Sequence, residues 1–144
     1  MTKNRTVVLA GWAVRVALAA AFLSAVADRL GLWGPPGSPG VAWGSVEKYE
    51  AYVAMLNWFL PTVMIPVVGW AATAAEVIIA LGLLVGWQLR WFALAGALLL
   101  TTFAAAMVAG IGPKAPLDYS VLSAASAAFL LYAVTQAGGD QQVK

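Results

Sequence analysis

Four apolar runs, each close to the ~20 residues a helix needs to cross a bilayer, dominate this sequence. They cover about residues 7–27, 66–87, 91–111 and 119–137. Hydrophobic residues make up 62% of the chain and charged residues only 10%, against roughly 25% charged in a soluble domain. A soluble fold of 144 residues has too little interior to hide that much apolar surface. The chain therefore reads as one integral membrane domain in a lipid bilayer. The expected fold is all-α, a four-helix transmembrane bundle.

The first run follows Lys3 and Arg5 and ends in Ala25-Val26-Ala27 before Asp28, a layout shared with cleaved signal peptides. Arg15 splits its apolar core, which favours a retained span. Residues 31–44, between the first two spans, are too rich in Gly and Pro for regular helix. Residues 45–60 place Tyr49, Tyr52, Val53, Leu56, Phe59 and Leu60 at helical spacing, with Glu47, Lys48, Glu50 and Asn57 elsewhere around the axis. An additional amphipathic surface helix is expected there, in the plane of the membrane and ending at Pro61. A water-facing cap helix packed on the loop is the alternative. Gln88-Leu89-Arg90 joins the second and third spans into a tight hairpin, and Asp118 stands where its carboxylate can cap the fourth.

The chain contains no cysteine and no histidine. Disulfides, thiol redox chemistry, the usual haem ligand and the commonest metal ligand are therefore missing from the chain itself, and no metal site is expected. A net charge of +2 is too slight to suggest a nucleic-acid partner.

Against that background Glu76 stands out, near the middle of the second run. A carboxylate at bilayer depth costs about 2.5–3.5 kcal/mol on insertion scales. Counting about 1.5 Å per residue from the inner ends of their spans puts Arg15 about 12 Å deep and Glu76 about 16 Å deep. The two are expected to face each other, either as an ion pair that locks two helices in register or around a proton-active or ligand-binding carboxylate. Thr73 and Ser123 carry hydroxyls that would complete a candidate ligand site with Arg15 and Glu76. Ser123 also belongs to a stripe with Ser120 and Ser126, whose commoner reading is an interhelical packing seam. Asp28, Arg29, Lys114, Asp118 and Tyr119 should gather at the outer mouth, to hold an anionic ligand or head group or simply to anchor the helix ends.

The order of these residues resembles the DoxX family. The resemblance rests on Arg15, on the run from Ala25 through Asp28-Arg29 to Gly34, on Glu76 ahead of Leu81-Gly82-Leu83-Leu84-Val85-Gly86, on Arg90, and on residues 112–120. It implies a four-helix bundle in the bacterial or archaeal inner membrane and a subunit associated with quinone-linked or thiol and oxidative-stress oxidoreduction. Two functional readings follow. The first is an anchor or quinone-interacting subunit beside oxidoreductase partners, with no cofactor in the chain except a quinone at an apolar slot. The second is a small proton-coupled transporter or ligand-binding protein that uses Glu76, for which a chain this short would act as a homo-oligomer.

Basic residues set the expected orientation. Lys3, Arg5 and Arg90 lie on one side, and the loops on the other are close to neutral, so both termini should be cytoplasmic. Cysteines introduced at positions 3 and 141 should both be shielded from a membrane-impermeant reagent in intact cells, and one introduced at position 37 should be labelled. Labelling at either terminus would reverse the assignment.

Overall fold

The computed structural model describes residues 2–140, with side chains placed from Arg5 to Ala137. Lys3, Asp140 and Lys144, which enter the charge count above, lie outside the described side chains. Every regular element among the described residues is helical: α1 Thr2–Arg29, α2 Val46–Leu56, α3 Ile65–Val85, α4 Leu89–Ile111, α5 Lys114–Asp118 and α6 Val121–Asp140. Three of them, α1, α3 and α4, are long and apolar enough to cross a membrane, and the apolar part of α6, Val121–Ala137, is shorter.

These four helices run antiparallel around one core. Leu18, Ala19 and Phe22 of α1 meet Ile79, Ala80 and Leu83 of α3, Ala93 and Ala97 of α4, and Ala128 and Leu131 of α6. The seam is built from small residues because, in lipid, helices gain from close packing rather than from escaping water. A Cβ on Gly96 would touch Ile79, Phe22 and Ala128 at 3.4–4.0 Å, and Gly82 has no room for one beneath the Phe92 ring. The outward faces carry Val16, Ile78, Leu81, Leu98, Phe129 and Leu130, all exposed, as expected where lipid replaces water. The helices are therefore apolar all round, with no polar stripe to mark an outside.

The second helix departs from expectation. It ends at Leu56 rather than near Pro61, because the Asn57 side-chain amide and backbone N–H both donate to the Val53 carbonyl and close the last turn. It packs on the bundle end instead of lying free at a surface. Tyr49, Val53 and Leu56 are buried, and its C-terminal backbone lies so close to Gly110 of α4 that a Cβ there would sit 2.6 Å from the Leu56 Cα. Ser45 caps its start by accepting from the Lys48 N–H at 3.2 Å. The hairpin turn is Gly86-Trp87-Gln88, about two residues earlier than expected. Asp118 does not cap α6; it pairs with Lys114 across one turn of α5.

Arg15 has a different role from the one expected. Its Nε donates to the Leu83 carbonyl at 2.6 Å and its Nη2 to the Leu84 carbonyl at 2.9 Å. These are among the last carbonyls of α3, which have no partner within the helix and carry the negative end of its dipole. The guanidinium also lies 3.7 Å from the centre of the Trp12 ring. Gly86 completes this cap in a left-handed conformation (φ 79°) and donates to the Gly82 carbonyl. A Cβ there would fall 2.5 Å from Arg15 Nη2. Gly86→Ala should therefore lose about 2 kcal/mol or more, through backbone strain and the displaced arginine. Because both changes break one cap, combining it with Arg15→Met should cost little more than either alone. Thermal unfolding in detergent, followed by circular dichroism, checks both points.

Candidate functional site

Arg29 closes the last turn of α1, which ends in a left-handed Gly31 (φ 75°) with Gly31 donating to Asp28 and Leu32 to Ala27. Helical side chains lean toward the N-terminus of their own helix. From the end of α1, Arg29 therefore leans down into the bundle. Glu76, on the antiparallel α3, leans up toward it. The two meet in a two-point contact: Nη1 donates to Oε2 and Nη2 to Oε1, the latter at 2.9 Å. Arg29 is 4% exposed and Glu76 2%. Nη1 also donates to Thr73 Oγ1 at 2.9 Å, and that hydroxyl donates to the Gly69 carbonyl one turn back.

Two aromatic rings close the pair from above. The Arg29 guanidinium carbon lies 4.0 Å from the Tyr49 ring centre and 5.2 Å from that of Trp43, and the two rings meet edge-on at 5.2 Å. A desolvated cation on an aromatic face gains about 2 kcal/mol. The Tyr49 hydroxyl reaches the Gly69 carbonyl at 3.4 Å. Burial pushes this phenol above its ordinary value; the Arg29 charge opposes the shift and the Glu76 charge adds to it. Tyr49 thus stays a neutral donor.

Asp28 points to the other side of the same turn and organises the loop. Its Oδ2 accepts from the Ala42 N–H at 2.8 Å, and its Oδ1 from those of Trp43 and Gly44 at 2.8 and 2.9 Å. Charge-assisted bonds of this kind are about twice as strong as neutral ones. They pin the Gly/Pro loop across the bundle end and carry Trp43 to its place over Arg29. Gly44 is required at the clamp: its φ is 69°, and a Cβ would lie 2.5 Å from the Pro36 nitrogen.

The structure thus joins Thr73, Glu76 and Arg29, and excludes Arg15, which lies against the far end of α3. Ser123 is exposed on α6, and no hydrogen bond joins it to Glu76, Thr73 or Arg15. The expected outer-mouth group divides in two. Asp28 and Arg29 turn inward, whereas Lys114 and Asp118 pair with each other at the surface and Tyr119 is exposed. Sequence reasoning missed Trp43 and Tyr49. For Tyr49 the signal was its place on the apolar face of α2; Trp43, in an irregular loop, had none.

Removing one partner of the buried pair should be far worse than removing both. Glu76→Gln strands a buried guanidinium and should cost about 3–5 kcal/mol, whereas Arg29→Met with Glu76→Leu should recover most of that loss. Chemical unfolding of the detergent-solubilised variants measures both. A double variant no more stable than Glu76→Gln would deny the pair's mutual dependence.

Comparison with known proteins corrects the family expected above. Residues 7–118 match the family of methylamine utilisation protein MauE, a membrane family distinct from DoxX, to which nothing in the chain matches. No curated protein and no solved structure matches the chain. With most of its length matched, from the first span through α5, this integral membrane protein belongs to the MauE family.

Proposed function

We propose that the protein is a non-catalytic membrane component of an oxidoreductase-linked system, one that presents an ordered bundle end to a partner carrying the redox centre. Its family points to methylamine utilisation as the setting. The observation that supports this reading best is where the buried polar groups are used. Asp28, Arg29, Thr73, Glu76 and Tyr49 bind one another, the loop backbone or the Gly69 carbonyl of α3, and together they order the loop end. A chain with neither Cys nor His has to leave electron transfer to a partner or to a lipid-soluble quinone beside it.

The surface so ordered is aromatic. Trp33 is held by its indole N–H, which donates to the Ser24 carbonyl and hydroxyl at 3.1 Å, yet its ring stays 62% exposed. Trp58 and Phe59, stacked edge-on at 5.9 Å, are also exposed. Proton-coupled transport through Glu76 is less well supported. Each cycle would have to break a two-point contact beneath Trp43 and Tyr49 and leave a guanidinium uncompensated.

Photo-crosslinking in native membranes tests the reading. Benzoylphenylalanine at positions 33 and 58 should capture one protein that carries a redox centre, and at positions 87 and 91, on the opposite end, it should not. Lipid adducts alone at all four positions, or equal capture from both ends, would overturn it.

A further inference from the structure

The charges of this chain are divided between its two ends. Asp28, Glu47, Glu50, Glu76 and Asp118 all belong to the loop end, where Arg29, Lys48 and Lys114 oppose them. At the hairpin end, where α3 turns into α4, the described side chains include Arg5, Arg15 and Arg90 and no carboxylate; in the sequence, Lys3 offsets Asp140. Arg15 reaches this end from the middle of α1 because its guanidinium binds the last carbonyls of α3, beside Gly86. A helix terminus supplies only about half a negative charge, so the capped arginine keeps a net positive charge. Its Nη1 meets no acceptor among the described residues and, unlike Arg29 Nε, is not sealed from the surroundings. Arg90 is exposed, with its guanidinium carbon 5.0 Å from the centre of the Trp91 ring.

The surface around these cations is apolar. Trp12, Trp87 and Trp91 are all exposed, and Val85 at the end of α3 is 76% exposed. Tryptophan rings favour the level where lipid head groups meet acyl chains. A soluble anion would satisfy the guanidinium groups and leave that surface in water. A phospholipid serves both, because its phosphate oxygens accept charge-assisted bonds and its chains continue along the lipid-facing helices. A zwitterionic head group brings its own cation to the phosphate; an anionic one does not. We propose that the hairpin end binds anionic phospholipid, whose phosphate oxygens accept from Arg15 Nη1 and from Arg90 while its acyl chains pass Val85 and the tryptophans. The inference concerns the end opposite the proposed docking face and does not require a docked partner.

Native mass spectrometry of the full-length protein in detergent, titrated with phosphatidylglycerol or with phosphatidylcholine of identical chains, gives the affinity for each. One basic residue near a lipid surface is worth about fivefold in affinity for anionic lipid. Phosphatidylglycerol should therefore bind about tenfold tighter than phosphatidylcholine, or more. Arg90→Gln, at an exposed position, should lose about fivefold for phosphatidylglycerol alone. Lys114→Gln removes the same charge at the loop end and should change neither affinity. Equal affinity for the two lipids, an unchanged Arg90→Gln protein, or an equal loss in Lys114→Gln would overturn the proposal. Arg15→Gln should also lose about fivefold, whereas Gly86→Ala, which disturbs the same helix cap but keeps the cation, should retain the lipid. Equal loss in those two would assign the effect to the cap and overturn the proposal. Inorganic phosphate in excess should not displace the lipid; displacement would make this a site for soluble anions and overturn it as well.

Discussion

The two-point contact between Arg29 and Glu76 is the interaction on which the loop end of this protein depends. Each group alone would be a charge in a medium that solvates it poorly, and the penalty for stranding one is about 3–5 kcal/mol. Pairing them fixes the rotation and height of α1 against α3 together, because a fork on one helix must meet a fork on the other. It also demands dryness, since water at the pair would weaken the attraction severalfold. Trp43 and Tyr49 supply that cover. Asp28, one residue before Arg29, holds the loop by three backbone N–H groups and so places Trp43, while α2 carries Tyr49. Adjacent residues on a helix point about 100° apart, which lets one turn of α1 bind α3 on its inner side and the loop on the other.

The two intramembrane arginines do different work at opposite ends of the same helix pair. Arg29 neutralises a side chain; Arg15 caps a helix end. The second arrangement needs no buried counter-charge, because two carbonyls and the partial negative charge of the α3 terminus stand in for one. α1 is thereby tied to α3 at two levels, with the small-residue core of Ala19 and Ala80 between them. Sliding one helix by a turn would break both ties at once.

The spans were legible because apolar length is a one-dimensional property, and the pairing was not because side-chain direction is three-dimensional. Counting residues from the membrane edge put Arg15 and Glu76 at similar depth. On antiparallel helices, however, their side chains lean toward opposite ends and diverge, whereas those of Arg29 and Glu76 converge. That rule needs only sequence and topology, so the correct partner was within reach of the sequence. The fate of α2 was less accessible. Its periodicity marks an apolar face, but lipid and protein are equally apolar, so nothing in the spacing of Tyr49, Val53 and Leu56 says which one it meets. The family was misjudged for a related reason. A buried arginine, an acid–base pair at a helix end and a glutamate between apolar runs answer physical needs that recur in more than one membrane family.

That recurrence raises the question of why this bundle uses an ion pair at all. Its own core shows a cheaper means of holding helices together: Ala19, Ala80, Ala93 and Ala128 pack with almost no exposure and no desolvation penalty. Replacing a buried pair by well-packed apolar residues is often neutral or stabilising, so cohesion alone does not account for Arg29 and Glu76. What a small-residue seam cannot do is hold an irregular, Gly- and Pro-rich loop in one conformation over the bundle end. The chain places its polar chemistry where that conformation has to be fixed, and leaves the rest of the bundle to packing. With both outer nitrogens of Arg29 committed to the Glu76 carboxylate, its Nε–H meets no acceptor among the described residues.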